Sequence, residues 1–332
     1  MAASAKPTAT ALITGGTSGL GLACARALLG SSERQWTVLI IGRALSRGAE
    51  AENELNSLRT GSARFIAADL GSYGSIRKLA AELERRRVRL DALVCNAGVQ
   101  LAAHSQQTSE GLEATFGINH LGHFLLVNSL VPLLNERARI VVVSSSTHDP
   151  AQRTGMPAPK WVDPRHLAKP KEDVRHEFEG SDPPAVVNRR RYTTSKLCNL
   201  YFTYELHRRI KQGESPAAAS VTVNAFDPGL MPGTELGRDF VPAQRFVWRH
   251  VLPFARPLLK AAFGNVHTPS ESGAALAALL DGGRFAGVSG KYFQGTEEVK
   301  SSPESYDQDR ARRLWACSGE LTELAPAAAL AR

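Results

Sequence analysis

Tyr192 and Lys196 stand four residues apart in "RRRYTTSK" (189–196), a run that otherwise reads as helix. Residues at i and i+4 share a helix face. A tyrosine with a pKa near 10 is a poor base near neutrality, but a cation within about 4–6 Å favours its phenolate. The pair is therefore either an acid/base with its tuner or an ordinary helix with a buried aromatic and an exposed cation. Spacing alone does not separate the two readings, and the rest of the chain has to.

A second cluster of informative residues is "TGGTSGLG" (14–21), with Gly15, Gly16, Gly19 and Gly21 directly after an apolar run. A glycine-rich strand-to-helix turn lets the backbone approach a pyrophosphate, which then sits at the positive end of the helix. The next apolar run ends "IIGR" (40–43). An acid there would accept hydrogen bonds from a free ribose 2′-hydroxyl, whereas Arg43 offers a planar, permanently charged donor suited to a 2′-phosphate. NADP(H) is thus expected over NAD(H), with a plain surface cation as the alternative for Arg43. Asp69, at the end of a third apolar run, is either a partner for an adenine amino group or a helix N-cap.

These residues need a scaffold. Runs at 10–16, 37–43, 63–70, 90–98 and 138–146 read as buried strands, and helical periodicity falls between them at 19–31, 46–59, 73–87 and 109–135. Further strands are expected at 220–229 and 290–295. Apolar runs alternating with helices imply a doubly wound α/β domain, a parallel sheet with helices on both faces. Two insertions break the rhythm. Residues 147–188 are rich in Pro and polar groups, and 236–268 carry "FVWRHVLPFARPLLKAAF". Both leave strand ends on the side where ligands bind, so a substrate-side lid is expected, with Phe240, Phe246, Trp248, Leu252, Phe254, Leu258 and Leu259 as its apolar surface. The alternative is that these side chains pack on the body or on a partner subunit. Residues 9–320 form one domain in this reading, with tails at 1–8 and 322–332.

Composition bounds the function. A chain of 332 residues, 43% hydrophobic and 22% charged, can bury a large core. The start MAASAKPTAT has no secretory core and no apolar run is long enough to cross a bilayer, so a cytoplasmic location is expected. Four scattered cysteines give no metal or disulfide framework. The net charge of +8 sits in arginine runs without aromatic interleaving, which argues against nucleic acid and favours anionic ligands. His120 and His123 in "NHLGHF" lack a third ligand nearby, so no metal is expected.

The ordered set TGGTSGLG (14–21), NAG (96–98), Asn119, VVVSSS (141–146), YTTSK (192–196) and DPGLMPGT (227–234) resembles the short-chain dehydrogenase/reductase family. The resemblance implies a catalytic group of Asn119, Ser145, Tyr192 and Lys196, with Ser144 or Ser146 as alternates if the register slips by one. It implies cofactor contacts along Gly15, Thr17, Ser18, Gly19, Leu20 and Gly21, Arg43, Asp69 and Leu70, and Asn96, Ala97 and Gly98. Tyr192, Lys196, Pro228, Gly229 and Thr234 complete that set. Tyr192 becomes the general acid/base, Lys196 its tuner, Ser145 the substrate-oxygen partner, and Asn119 the anchor of a relay water near Lys196.

"GINHLGHFLL", "SKLCNLYFTYELHRR" and "RARRLWACSGEL" are similar to the branch holding retinol dehydrogenases and light-dependent protochlorophyllide reductases. An NADP(H)-dependent oxidoreductase of a carbonyl or alcohol on a bulky apolar substrate is expected. The alternatives are reduction of a carbon–carbon double bond and a non-catalytic NADP(H)-binding regulator. "SKLCN" resembles the photoenzyme group, where the equivalent of Cys198 lies near the pigment. Peripheral membrane contact and a homodimer through helices at 109–135 and 192–211 stay open.

Overall fold

The structure is a computed structural model that describes residues 6–101, 105–170, 175–234, 237 and 242–324. Phe240 and parts of both insertions and both tails lie outside the described residues.

The first half alternates strand and helix: β1 (Thr8–Thr14), α1 (Gly19–Leu29), β2 (Gln35–Gly42), α2 (Leu45–Ser57), β3 (Ser62–Ala67), α3 (Tyr73–Arg85) and β4 (Leu90–Cys95). Next come α4 (Ala114–Phe116), a π-helical turn (Gly117–Leu121), α5 (Gly122–Leu130) and β5 (Leu134–Val143). The short α6 (Pro164–Ala168) and α7 (Arg175–Glu179) precede the long α8 (Pro184–Gln212) and β6 (Thr222–Asp227). The chain ends with α9 (Pro242–Phe246), α10 (Arg256–Phe263), α11 (Pro269–Asp281), β7 (Tyr292–Gln294), β8 (Glu297–Val299) and α12 (Gln308–Leu321).

The strands form one sheet in the order β3-β2-β1-β4-β5-β6-β7-β8, parallel except for β8. Antiparallel β8 is an addition to the seven expected strands; at three residues, with Glu297 and Glu298 exposed, it carries no apolar run to betray it. The expected helix at 109–135 is shorter and interrupted, because the π-turn falls at its centre and 134 onward already belongs to β5. The strand expected at 138–146 stops at Val143; Ser144 N still donates to Phe226 O of β6 at 2.8 Å, and a 3₁₀ turn begins at Ser146.

Strands buried on both faces explain the near-continuous apolar runs. One core layer packs α3, α5, α8 and α12 against the sheet, and the other packs α1, α2 and α11 against its back. Strand order reverses between β1 and β4, so the crevice at their carboxyl ends is the place where such sheets take ligands.

Helix α8 is unusual in being buried nearly all round. One face lies on the sheet, and the opposite face meets α12: Trp315 stacks on Phe202 at 5.8 Å and meets Phe124 edge-on at 5.0 Å. His120 Nε2 bonds Ser318 Oγ at 2.8 Å, also across to α12. The C-terminal helix α12 thus packs on α8 and touches the 109–135 segment at His120 and Phe124.

The insertion after β5 divides in two. Gln152, Thr154 and Met156 face the crevice. The later part buttresses α4 and α8: Glu113 N donates to Ala168 O at 2.8 Å, Trp161 packs edge-on to Tyr201, and Arg191 pairs with Glu179 at 2.9 Å.

Candidate active site

A cleft of about 490 Å³ runs across the carboxyl ends of the strands. Its wall includes Gly15, Thr17, Ser18, Gly19 and Leu20, Arg43, Asp69, Leu70, Asn96, Ala97 and Gly98. Ser145, Tyr192, Lys196, Pro228, Gly229 and Thr234 complete the expected set along the same wall. Two expected residues are not in the wall. Gly21 lies behind it, where a Cβ would come within 2.4 Å of Gly15 O and 2.7 Å of Asn96 Nδ2, so only glycine lets α1 sit this close to the turn. Asn119 is fully buried beneath it.

The turn after β1 is built to receive an anion. Gly15 takes φ +64°, a conformation L side chains resist. Asn96 Nδ2 donates to Thr14 O at 2.8 Å, and Asn96 N and Ala97 N both donate to Thr14 Oγ1. The NAG segment therefore braces the turn from β4. Ser18 is the N-cap of α1 yet makes no side-chain capping bond, so the first-turn amides of α1 have no competitor for a phosphate. These features fit the pyrophosphate of a dinucleotide.

At the end of the cleft beside β2 and α2, Arg43 and Arg47 both line the wall. Arg47 was not expected from the sequence; it lies one helical turn after Arg43, in the first turn of α2, and that spacing was its only signal. Asp69 does not cap α3, whose N-cap is Ser72. Its Oδ1 instead accepts from Gly71 N at 2.9 Å, leaving the carboxylate at the cleft wall.

The other end gathers the titratable groups. Ser145 follows β5 in extended conformation; its Oγ accepts from Thr147 N at 3.3 Å and sits beside the Tyr192 phenol, whose ionised form it favours. Of its neighbours, Ser144 spends its hydroxyl on Lys196 O at 2.8 Å, and the Ser146 backbone N donates to Asp227 Oδ2 at 3.1 Å. His148 fixes the turn, with Nδ1 on Ser145 O and Nε2 accepting from Ser302 N at 3.0 Å. Lys196 Nζ lies 5.5 Å from the Tyr192 ring centroid and donates to Val143 O at 3.2 Å.

Electrostatics at this end depart from the simple expectation. Burial, then the Asp227 carboxylate, pushes the Tyr192 phenol well above its usual range, while Ser145 pulls the other way. Burial lowers Lys196 to about 8, and Asp227 opposes that fall. Lys196 is therefore half ionised near pH 8 rather than a permanent cation, and desolvation is the largest influence on Tyr192. Asp227 itself ends β6, 1% exposed. Its carboxylate accepts from Ser146 N (3.1 Å), Gly229 N (3.0 Å), Asn265 Nδ2 (2.8 Å), Tyr292 OH (3.3 Å) and Gln294 Nε2 (3.4 Å). An acid at the end of a buried apolar strand was the available sequence signal for this hub.

Asn119 sits in the π-helical turn, a feature that favours functional positions. Its Oδ1 accepts from Val99 N at 2.8 Å, and Nδ2 donates to Val99 O and Ser195 Oγ, each at 3.0 Å. His123 Nδ1 bonds the Asn119 carbonyl at 3.0 Å, and its Nε2 bonds Thr14 Oγ1 at 2.9 Å. The Asn119 side chain is thus spent on the β4–α8 junction. Burial holds His120 and His123 neutral, at about 3 and about 4, as hydrogen-bonded packing groups. Cys198 is fully buried, its thiol pushed up by desolvation, and it is absent from the cleft wall.

The second insertion is only partly a lid. Trp248 lines the cleft and donates Nε1–H to Thr234 O at 2.8 Å, and Asn265 joins the same wall. Phe246, Phe254 and Leu258 turn outward to solvent, and Leu252 and Leu259 are half-buried.

Comparison with known proteins agrees with this geometry. A family model described as short chain dehydrogenase matches residues 9–156. Human "Retinol dehydrogenase 14" is 32% identical, over 92% of this chain and 84% of its own length. "Protochlorophyllide reductase B, chloroplastic" of Oryza sativa subsp. japonica is 31% identical, over 95% of this chain and 78% of its own. A crystal structure of an uncharacterized protein from Mycobacterium paratuberculosis superposes with a TM-score of 0.66 at 26% identity, covering 96% of each chain. The chain belongs to the short-chain dehydrogenase family, in the branch of the retinol dehydrogenases and protochlorophyllide reductases. Among the described residues, no helix is long and apolar enough to cross a membrane.

Proposed function

We propose that this protein is an NADP(H)-dependent oxidoreductase that interconverts a carbonyl and an alcohol on a bulky, largely apolar substrate. The convergence of Ser145, Tyr192 and Lys196 with a glycine turn and two arginines in one cleft carries this reading. Arg43 and Arg47 would hold a 2′-phosphate, Asp69 the adenine, and the first turn of α1 the pyrophosphate. Met156, Leu230, Met231 and Trp248 give the cleft a largely apolar stretch, with the Gln100 amide among them.

When bound, the cofactor supplies or accepts a hydride at nicotinamide C4. Ser145 Oγ would donate to the substrate oxygen and hold it against the Tyr192 hydroxyl. Burial keeps the phenol in its protonated form, the form that gives a proton to that oxygen in the reductive direction. Lys196, protonated below about pH 8, would stabilise the phenolate left behind. Asn119 would act as a positioning residue, tying the β4 end to α8 through Val99 and Ser195.

Reduction of a carbon–carbon double bond is the second reading, supported by similarity to protochlorophyllide reductase. The burial of Cys198 away from the cleft speaks against it, since the resemblance there rests on a thiol near the pigment. Retention of Ser145, Tyr192 and Lys196 together speaks against a silent cofactor-binding regulator, which needs only the nucleotide half.

The test is single-turnover oxidation of bound NADPH across retinoid, steroid, polyketide and aliphatic carbonyls, for the wild type and Tyr192→Phe. The variant is expected to keep cofactor affinity and lose roughly 10²–10⁴-fold in rate. Near-normal turnover in the variant would return Tyr192 to the status of a packed aromatic. A wild type inert to every carbonyl would favour one of the other readings.

A further inference from the structure

The cleft wall holds a polar side chain that the proposed reaction does not use. Gln100, just beyond the NAG segment, is 6% exposed and lines the cleft. Among the described residues its Nε2 meets only the Met156 thioether, at 3.9 Å, and its Oε1 accepts no hydrogen bond. A thioether is a weak acceptor. A buried amide left without good partners is costly, so this side chain is open to a ligand group that can satisfy it.

The amide is also held in place. Both polar backbone groups of the preceding Val99 are fixed by Asn119, the N–H donating to Oδ1 at 2.8 Å and the carbonyl accepting from Nδ2 at 3.0 Å. Asn119 Nδ2 donates in turn to Ser195 Oγ, so Gln100 is anchored to the helix that carries Tyr192 and Lys196. Strand order separates it from most of the apolar wall. β5, which leads into Ser145, lies between β4 and β6 in the sheet. Gln100 follows β4, whereas Leu230, Met231 and Trp248 follow β6. A substrate oxygen at Ser145 and Tyr192 thus has an amide contributed from one flank and apolar side chains from the other.

We propose that Gln100 is a specificity-determining residue, and that the substrate is a lipophilic carbonyl or alcohol bearing a second, uncharged oxygen, a hydroxyl or a carbonyl, that pairs with the Gln100 amide. An amide donates and accepts, so it serves either oxygen. It offers no charge to a carboxylate; the cations among the described residues of the wall are Arg43, Arg47 and Lys196, which the cofactor and Tyr192 engage. An apolar group placed against Gln100 leaves the amide buried and unpaired, and such a penalty discriminates more strongly than a missing methylene does. The proposal rests on the oxidoreductase reading and narrows its substrate class.

The full chain would be assayed by NADPH oxidation with a straight-chain methyl ketone and with its β-, γ- and δ-hydroxy and -oxo derivatives of the same chain length. The wild type is expected to prefer at least one derivative over the parent by roughly 10–100-fold in kcat/KM, the worth of pairing one buried neutral group. Gln100→Leu, similar in size and unable to hydrogen-bond, is expected to erase that ratio, and Gln100→Asn, with its amide on a shorter arm, to retain part of it. Circular dichroism and NADPH titration would check that each variant is folded, and the wild-type series needs no variant. Turnover of the parent as fast as every derivative by the wild type overturns the proposal and leaves the oxidoreductase reading intact. A folded Gln100→Leu that loses equally on parent and derivatives makes Gln100 structural and overturns it too. Inertness of the wild type toward all of these ketones counts against the oxidoreductase reading, and this proposal falls with it.

Discussion

Asp227→Asn is a sharp test of how the substrate end of the cleft is held. The carboxylate accepts five hydrogen bonds and donates none, tying together the Ser146 turn, the Gly229 loop, Asn265 and the β7 residues Tyr292 and Gln294. An amide has one acceptor oxygen. If it faces the Oδ2 donors, Gly229 N meets an NH₂ group; if it is flipped, Ser146 N and Asn265 Nδ2 do. Either way at least one buried donor is orphaned, at a cost of about 1–3 kcal/mol, and the remaining bonds lose their charge assistance. Lys196 also loses the negative charge that opposes its desolvation. Together these amount to about 3–5 kcal/mol, the usual cost of stripping one partner from a buried charged group.

The sign with pH follows from Lys196. Its folded pKa of about 8 lies below the ordinary 10.5, so between those values the unfolded chain binds more protons and stability from this group rises with pH. Below about pH 8 the folded protein carries the full cost of a buried ammonium. Removing Asp227 lowers the lysine further, so the variant's deficit should be larger at pH 7 than at pH 9. Urea unfolding at both pH values measures this, with a midpoint drop on the order of 1 M expected at pH 7. Both Tyr192 and Lys196 lose a nearby negative charge, so the alkaline limb of the pH–rate profile should move to lower pH. A deficit under about 1 kcal/mol that is the same at both pH values would refute the hub and its coupling to Lys196.

Arg43→Asp with Arg47→Ala is expected to weaken NADPH by roughly 10–100-fold, the loss of one or two charge-assisted bonds, with little effect on NADH; a wild type that titrates equally with both cofactors would show that neither arginine reads the phosphate. Trp248→Ala should lower kcat/KM for large lipophilic substrates by roughly tenfold or more, the apolar burial of a large side chain, and spare small ones. Equal losses on both would make Trp248 structural. Because α12 packs on α8 and meets α5 at Phe124, light scattering should find no dimer built on those helices, and a dimer whose contacts, mapped by cross-linking, lie on 109–135 and 192–211 would contradict that packing.

What could be read from the sequence is what depends on local rules. Buried parallel strands are apolar runs, so β1, β2, β4, β5 and β6 announced themselves. Glycine spacing marked the turn after β1, and Arg43 in place of an acid at the end of the next strand gave the expectation of a 2′-phosphate. Tertiary packing decided the rest, because it depends on what surrounds a side chain. It determined that Ser145 sits beside Tyr192 while Ser144 spends its hydroxyl on Lys196 O, and that the Asn119 amide is spent on Val99 and Ser195. Desolvation, which no spacing encodes, placed Lys196 near 8 and drove Tyr192 upward, and Asp227 became a hub only when five donors from distant segments closed on it. The apolar side chains of 246–258 read the same whether they cover the cleft, the body or nothing; the fold turned Trp248 inward and left Phe254 and Leu258 in the open.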